Sequence, residues 1–307
     1  MYSDLEYWEL EKSPFVQPAT AAAYYATPSS DEALARMQYL AERGRRLGLL
    51  VGESGNGKSL LLRVFASQLR RQAVSVCEVD LLGMGTHELL WSLATQLGAT
   101  TRSGATTFDL WESVADELRQ CVRINAQVAI LVDNADQITG GLEGESDGEL
   151  LALLARLSQM NPAAKVAPLT ILAANPDMVE LLGRRLLELV ELRIDLPAWE
   201  LSETWAYIKS RLEQTGCQTD LFTTGAVEQI ERLTGGVPRK VNQLADLALV
   251  AAAGQQLSNV GGDTILKVHG ELMIMPRSVL PDSLPATPNL ASSESGVSES
   301  EGSAGVE

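Results

Sequence analysis

The chain has 307 residues, of which 45% are hydrophobic and 21% charged, and its formal net charge is −16. This composition is ordinary for a folded globular protein, and the length suggests about two domains. The acidic balance argues against a broad nucleic-acid-binding surface, because such a surface needs clustered lysine and arginine side chains.

Residues 1–29 are rich in aromatic side chains and contain three prolines. Because disordered segments seldom carry so many aromatics, this pattern predicts an ordered N-terminal strap packed on the rest of the protein. The segment has no apolar core of a signal peptide, and no run in the chain reaches the ~18–20 apolar residues of a membrane helix. The three cysteines of the whole chain lack the spacing of a disulfide framework or a zinc site. We therefore expect a cytoplasmic protein without direct membrane insertion.

The pattern G-x-x-x-x-G-K-[ST] is matched by Gly52, Gly57, Lys58 and Ser59. It lies between an apolar run that predicts a strand at 47–51 and an amphipathic run that predicts a helix ending near residue 71. Glycines in this setting let main-chain N–H groups turn towards phosphate oxygens, and the start of the helix adds its positive dipole. Lys58 is expected to reach the β- and γ-phosphates of ATP, and Ser59 to bind Mg²⁺. The predicted nucleotide-binding residues are Gly52, Glu53, Ser54, Gly55, Asn56, Gly57, Lys58, Ser59 and Leu60.

Asp133 closes a hydrophobic run, VAILVD, that predicts a buried strand at 128–132. A carboxylate in this position helps to hold Mg²⁺ beside a phosphate loop, and the alternative is a simple cap of the next turn. Hydrolysis usually needs a second carboxylate that polarises the attacking water. The next residue is Asn134, which can orient water but cannot take a proton. Either Asp136 substitutes for the missing carboxylate or hydrolysis is slow.

Four further polar residues are candidates for contacts to the γ-phosphate. Asn175 follows an apolar strand predicted at 169–173, where it either reaches the phosphate or the water, or caps the following helix. Arg239 lies at the start of a predicted helix, where a cation interacts unfavourably with the helix dipole. This position favours a role in sensing the γ-phosphate over that of an ordinary surface arginine. Arg184 and Arg185 lie near a helix end, where one of them, with Arg185 as the candidate, either reaches into a neighbouring subunit or is simply solvated.

Further strands are predicted at 74–79 and 190–196, and amphipathic helices between the strands. One helix is predicted at 32–43, capped by Ser30 and Asp31, and another at 176–187. Alternating strands and helices predict an α/β fold with a parallel sheet sandwiched by helices. From residue 202 onward the pattern is all-helical, with helices at 202–215, 224–234 and 238–253 and a strand or helix at 265–275. This predicts a small helical lid domain.

The predicted divisions are the strap at 1–29, a nucleotide-binding α/β domain at 30–199, the lid at 200–275 and a disordered acidic tail at 276–307. Residues 277–307 contain one arginine against five acidic residues and show no periodicity. The tail is either a solvated linker or a segment that regulates activity or binds a partner.

Four stretches together resemble the AAA+ ATPases of the ExeA/general secretion pathway protein A group: MYSDLEYWELEKSPF, TPSSDEALARMQYL, GESGNGKSLLLR and GGVPRKVNQLADLAL. The resemblance covers about residues 1–255 and extends to transposition and replication-loader ATPases. It implies a P-loop AAA+ fold, ATP and Mg²⁺ as cofactors, and sensor roles for Asn175 and Arg239. It also implies nucleotide-coupled assembly. The group generally carries Asp-Glu where this chain has Asp133-Asn134, which puts fast hydrolysis in doubt.

The sequence supports three functions. The first is an ATPase that drives assembly or remodelling of a protein complex, with an unidentified protein partner and a homo-oligomeric state. The second is an ATP-gated switch with slow turnover. The third is a DNA-acting regulator of the transposition or replication type, against which the acidic charge argues.

Overall fold

Five parallel strands organise the chain between residues 47 and 195 in the computed structural model, which describes residues 4–15, 24–139, 146–160, 167–217 and 219–272. The strands are β1 (Leu47–Val51), β2 (Ser75–Asp80), β3 (Val128–Asp133), β4 (Leu169–Ala174) and β5 (Leu192–Asp195). Their order across the sheet is β2-β3-β4-β1-β5, and all neighbouring pairs are parallel. The predicted parallel sheet is confirmed.

The helices are α1 (Asp4–Tyr7), α2 (Pro28–Glu42), α3 (Lys58–Arg71), α4 (Thr86–Leu97), α5 (Thr107–Arg123), α6 (Ser146–Ser158), α7 (Arg184–Leu187), α8 (Leu201–Glu213), α9 (Thr224–Thr234), α10 (Pro238–Gly254) and α11 (Gly262–Leu272). Two 3₁₀ helices, Ala135–Thr139 and Pro176–Leu182, follow β3 and β4. Within the described part of the chain, no helix combines the length and the apolar character needed to span a membrane.

Alternation along the buried strands sends side chains to both faces of the sheet. In β1, Leu49 packs in a core with α4, α5 and α6, whereas Leu50 packs in a core with α2 and α3. Residues Ile130 and Leu131 of β3 divide between the same two cores. Both faces are therefore covered, as the continuous apolar strands predict.

A third core joins α8–α11 to the N-terminal residues. Trp8, Leu10 and Phe15 are buried among these helices, and the Trp8 indole N–H donates to the main-chain oxygen of Leu249 at 3.0 Å. The ring of Phe15 meets that of Phe222 edge-on at 5.9 Å. Between the predicted alternatives at 265–275, the structure has a helix, α11. The domain boundaries stay a prediction, and the predicted tail at 276–307 lies outside the described residues.

Two predicted helices differ in the structure. The first begins at Pro28 and is capped by Thr27, whose hydroxyl accepts from the Ser30 N–H at 3.3 Å, so the predicted cap at Ser30 and Asp31 is wrong. Proline suits the first turn because it needs no N–H donor there. The single helix predicted at 176–187 is broken by Gly183, whose φ of +74° is incompatible with a continuous right-handed helix.

The order of the strands determines which loops lie side by side. Because the strands are parallel, their carboxyl ends lie at one edge of the sheet, where ligands bind in open α/β folds. Val51 at the end of β1 pairs with Ala174 at the end of β4, so the loop at 52–57 and Asn175 begin side by side. On the other flank of β4, β3 ends at Asp133.

Candidate functional site

A cavity of about 370 Å³ opens at this edge of the sheet, between the glycine loop and the helical part of the chain. Residues 54–61 line one wall, together with Asn134 and Asn175 from the ends of β3 and β4. Pro238 and Arg239 at the start of α10 also line the cavity. The volume lies in the range of small-molecule sites, roughly 300–1,000 Å³.

The loop at 52–57 contains glycines in the left-handed conformation and contacts Leu196, which follows β5. Gly55 and Gly57 both have φ of +96°, which other residue types rarely adopt. A Cβ on Gly52 would lie 2.7 Å from the Leu196 main-chain oxygen, so only glycine fits there. The Asn56 amide donates to that same oxygen at 3.0 Å. No side chain caps α3, so its first N–H groups are available to an anion in the cavity.

The Lys58 amine lies at the base of this loop, and its residue is only 8% exposed. Its Nζ donates to the main-chain oxygens of Gly52 at 2.5 Å and Glu53 at 3.1 Å, and to Oδ1 of Asn175 at 2.8 Å. Burial lowers the pKa of Lys58, while the nearby carboxylates of Asp136 and Asp133 raise it in part. The site therefore holds a desolvated cation facing an anion-binding helix start.

Asn175 connects Lys58 to a buried carboxylate. The Asn175 side-chain amide donates to Oδ2 of Asp136 at 2.5 Å, and Asp136 is 1% exposed. Asn175 occupies the cap position of the following 3₁₀ helix but makes no side-chain capping bond there. Asp136 does not line the cavity. The chain Asp136–Asn175–Lys58 thus joins the ends of β3, β4 and β1.

Asp133 and Asn134 lie on the other side of β4 from the loop. Oδ1 of Asp133 accepts from the main-chain N–H of Asn134 at 3.0 Å, and Asn134 has a left-handed φ of +52°. The Asn134 side-chain amide donates to Oδ1 of Asp80 at 2.7 Å. The sequence reasoning missed Asp80, although its signal was present: an acidic residue directly after the second predicted strand.

The residues around the cavity would fit a nucleotide together with Mg²⁺. Among the described residues, no group of three or more His, Cys, Asp or Glu side chains could hold a metal ion. Mg²⁺ commonly keeps waters and uses one carboxylate together with substrate phosphates. Ser59 in the first turn of α3 and Asp133 are the residues that would hold it.

The predicted arginines lie in different places. Arg239 lines the cavity, and its main-chain N–H donates to the Gly55 oxygen at 3.3 Å, so the start of α10 contacts the glycine loop. The positive charge of Arg239 also lowers the pKa of Lys58. Arg184 and Arg185 are exposed on α7 and do not line the cavity, and Arg184 pairs with Glu188 at 2.8 Å.

An aromatic wall completes the cavity, and the sequence reasoning did not find it. Tyr24, Tyr25, Trp199 and Tyr207 line it. The ring centroids of Trp199 and Tyr207 lie 4.5 Å apart, and that of Tyr25 lies 5.2 Å from Tyr207. Flat apolar faces with polar tips suit a nucleobase, whereas the loop suits its phosphates.

Comparison with known proteins finds a family match and a relative. Residues 41–182 match the family described as AAA domain. General secretion pathway protein A of Aeromonas hydrophila is 24% identical over 273 residues, which cover 88% of this chain and 47% of that protein. The chain thus spans about half the length of this curated relative.

Solved structures share the fold. The Aeropyrum pernix ORC1 protein, in complex with DNA, gives a TM-score of 0.65 at 18% identity, covering 86% of this chain and 70% of that one. Cdc6p of Pyrobaculum aerophilum gives 0.67 at 13% identity, covering 86% and 72%. The Thermotoga maritima RuvB Holliday junction branch migration motor gives 0.54 at 16% identity, covering 84% and 73%. These likenesses confirm the predicted fold class.

Proposed function

We propose that this chain is an ATPase that couples the binding and hydrolysis of ATP to assembly or remodelling of a protein complex, because residues 41–182 match the family described as AAA domain. The observation that carries the proposal is the position of Lys58. Its buried amine lies at an uncapped helix start, in one cavity with Asn175 and with Arg239 of α10.

Residues 52–60 bind the phosphates of ATP, and Ser59 and Asp133 would hold Mg²⁺. Bound Mg²⁺ neutralises charge on the phosphates. Lys58 exchanges its protein acceptors for phosphate oxygens, and the N–H groups of the first turn of α3 donate to the same anion. The aromatic wall of Trp199 and Tyr207 takes the base.

ATP hydrolysis at this site is slow. Asn134 lines the cavity where a carboxylate is expected, and it accepts no proton. Asp136 is buried behind Asn175, so it orients that amide instead of activating water. Asn175 and Arg239 then contact the γ-phosphate from two sides and respond to its loss.

Coupling to a complex is supported by the lid and by the relative. The contact from Arg239 to Gly55 links the phosphate loop directly to α10, so a change in the loop reaches α8–α11. One relative, over the 88% of this chain that matches it, is named for a general secretion pathway. Arg185 is exposed on α7, where a homo-oligomer would present it to a neighbouring subunit. The partner is an unidentified protein.

The test compares wild type with Lys58→Ala, and uses Lys267→Ala as a control for loss of an exposed lysine on α11. ATP affinity and ATP turnover are measured with and without Mg²⁺. We expect Lys58→Ala to lose both, because a charge-assisted hydrogen bond contributes about 1.5–3 kcal/mol, while Lys267→Ala matches wild type. Turnover that survives in Lys58→Ala would contradict the proposal.

A second function, the ATP-gated switch, is favoured by Asn134. It predicts tight ATP binding and nucleotide-dependent oligomerisation without measurable wild-type turnover. Asn134→Glu would then create turnover where wild type has none. The net charge of −16 gives no support to the DNA-acting alternative, and retention on DNA at moderate salt with ATP is its test.

A further inference from the structure

We propose that the side chain of Gln96 blocks the open edge of the sheet at β2, and so prevents β2 from pairing with the same strand of a second copy of this chain. This role is separate from the proposed ATPase, because Gln96 does not line the nucleotide cavity. It concerns which surfaces of the molecule are closed to association.

β2 lies at one end of the strand order, so only one of its two sides is paired within the sheet. The main-chain N–H of Ser75 donates to the oxygen of Gln127, which precedes β3, at 3.0 Å. Since main-chain groups along a strand point alternately to its two sides, residues 76, 78 and 80 present theirs to the open edge. A row of such groups is a template on which another strand can pair.

Gln96 lies across the middle of this row. It belongs to the last turn of α4, and its Oε1 accepts from the main-chain N–H of Glu78 at 2.9 Å. Its Nε2 donates to the main-chain oxygen of the same residue at 3.0 Å. One amide therefore makes with Glu78 the two hydrogen bonds that a neighbouring strand would make.

The amide is held in place by a third bond. Nε2 of Gln96 also donates to Oγ of Ser92, one helical turn earlier, at 3.0 Å. Gln96 is exposed, and holding an exposed glutamine in one conformation costs side-chain entropy. Because residue 78 is the middle one of the three, its coverage leaves an incoming strand no two successive outward-facing residues to pair with.

A second copy of the chain fits this edge because β2 itself is suited to pairing. Its sequence, SVCEVD, contains two valines and no proline. In an antiparallel pair of β2 strands centred on Glu78, the two glutamates would face each other, and like charges in that position are unfavourable. Arg70 pairs with the Glu78 carboxylate at 2.7 Å and offsets this repulsion. The bonds from Gln96 are then the main barrier to pairing.

The test compares Gln96→Ala with wild type and with Gln120→Ala, which removes an exposed glutamine of α5. Hydrogen exchange of the Glu78 amide and sedimentation velocity over a range of protein concentrations are measured without nucleotide. We expect Gln96→Ala to exchange at Glu78 about tenfold faster and to form dimers at concentrations where wild type and Gln120→Ala show none. The urea midpoint should stay unchanged, because water replaces the lost bonds at an exposed edge.

A second variant identifies the surface through which such dimers form. Val76→Pro removes an N–H that points to the open edge without removing a bond to β3, so dimers of Gln96→Ala should disappear in Gln96→Ala/Val76→Pro. Dimers that persist in the double variant form elsewhere and refute the proposal. So do an unchanged exchange rate at Glu78 in Gln96→Ala and faster exchange without dimers. ATP turnover, measured in parallel, tests the proposed ATPase independently of all these outcomes.

Discussion

Adjacent glycines in the turn between α9 and α10 allow a matched test of how the helical part is held to the nucleotide cavity. Gly235 has φ of +60° and Gly236 has φ of +68°. A Cβ on Gly235 would meet nothing within 4 Å, whereas one on Gly236 would lie 1.9 Å from the Trp199 main-chain oxygen. Alanine at either position has a positive φ, but only at Gly236 does its Cβ strike another segment.

The expected losses of unfolding free energy follow from the backbone strain and from the steric clash. A left-handed conformation costs a non-glycine residue roughly 1–2 kcal/mol. Gly235→Ala should lower the free energy of unfolding by about that amount. At Gly236 the obstacle is backbone, which cannot rotate away, and forced packing adds typically about 1–3 kcal/mol. The Trp199 N–H donates to the Gly236 oxygen at 2.9 Å, so this bond is disturbed as well.

Urea denaturation measures the first consequence and ATP affinity the second. Gly236→Ala should lose about 2–5 kcal/mol of unfolding free energy, the sum of the two terms. It should also bind ATP more weakly than Gly235→Ala. Trp199 lines the cavity, and Arg239, which also lines it, lies in α10 directly after the displaced turn. Equal unfolding free energies for the two variants would refute the reasoning. Equal ATP affinities would show that the turn does not position the cavity.

Three further predictions concern single side chains. Burial raises the pKa of the Cys77 thiol to about 11 from 9.0, so wild type should lose unfolding free energy between pH 9 and 11, up to about 3 kcal/mol. The unfolded thiol ionises in that window and the native one does not, so Cys77→Val should lose less in urea titrations across it. Asn175→Ala removes the donor to buried Asp136 and should cost about 1–3 kcal/mol of unfolding free energy; it should also slow ATP turnover, and an unchanged urea midpoint would contradict the role of that bond. Arg239→Ala should weaken ATP binding about tenfold or more, whereas Lys240→Ala, its exposed neighbour, should leave the dissociation constant unchanged in fluorescent-nucleotide titrations.

The fold was predictable because its signals are local and apolar. The strands at Val128–Asp133 and Leu169–Ala174 are short apolar runs between turn signals. A parallel sheet then follows from the alternation with helices. The break at Gly183 was not predicted, because glycine within an amphipathic pattern leaves the helix and the turn equally open until tertiary packing selects one.

The candidate site was predictable only in part. The motif at Gly52–Ser59 carries its own geometry, so the loop and Lys58 followed from sequence alone. Asp80 contacts Asn134 across a strand pair, and that pairing depends on sheet order, which no local pattern fixes. The same holds for Trp199 and Tyr207, which reach the cavity only because the turn after β5 and α8 pack beside the loop.

The acidic composition and an anion-binding cavity are compatible because they act over different distances. At physiological ionic strength exposed charges are screened beyond about 8 Å, so the net charge of −16 governs encounter with extended polyanions and not the interior of one cavity. Inside it, the partial charge of the α3 start and the buried cation of Lys58 are screened much less than exposed charges are. Arg239 adds a second cation from the start of α10, close enough to lower the pKa of Lys58. Those two cations repel each other until an anion lies between them, so binding of a polyphosphate should strengthen the contact that α10 already makes with the glycine loop.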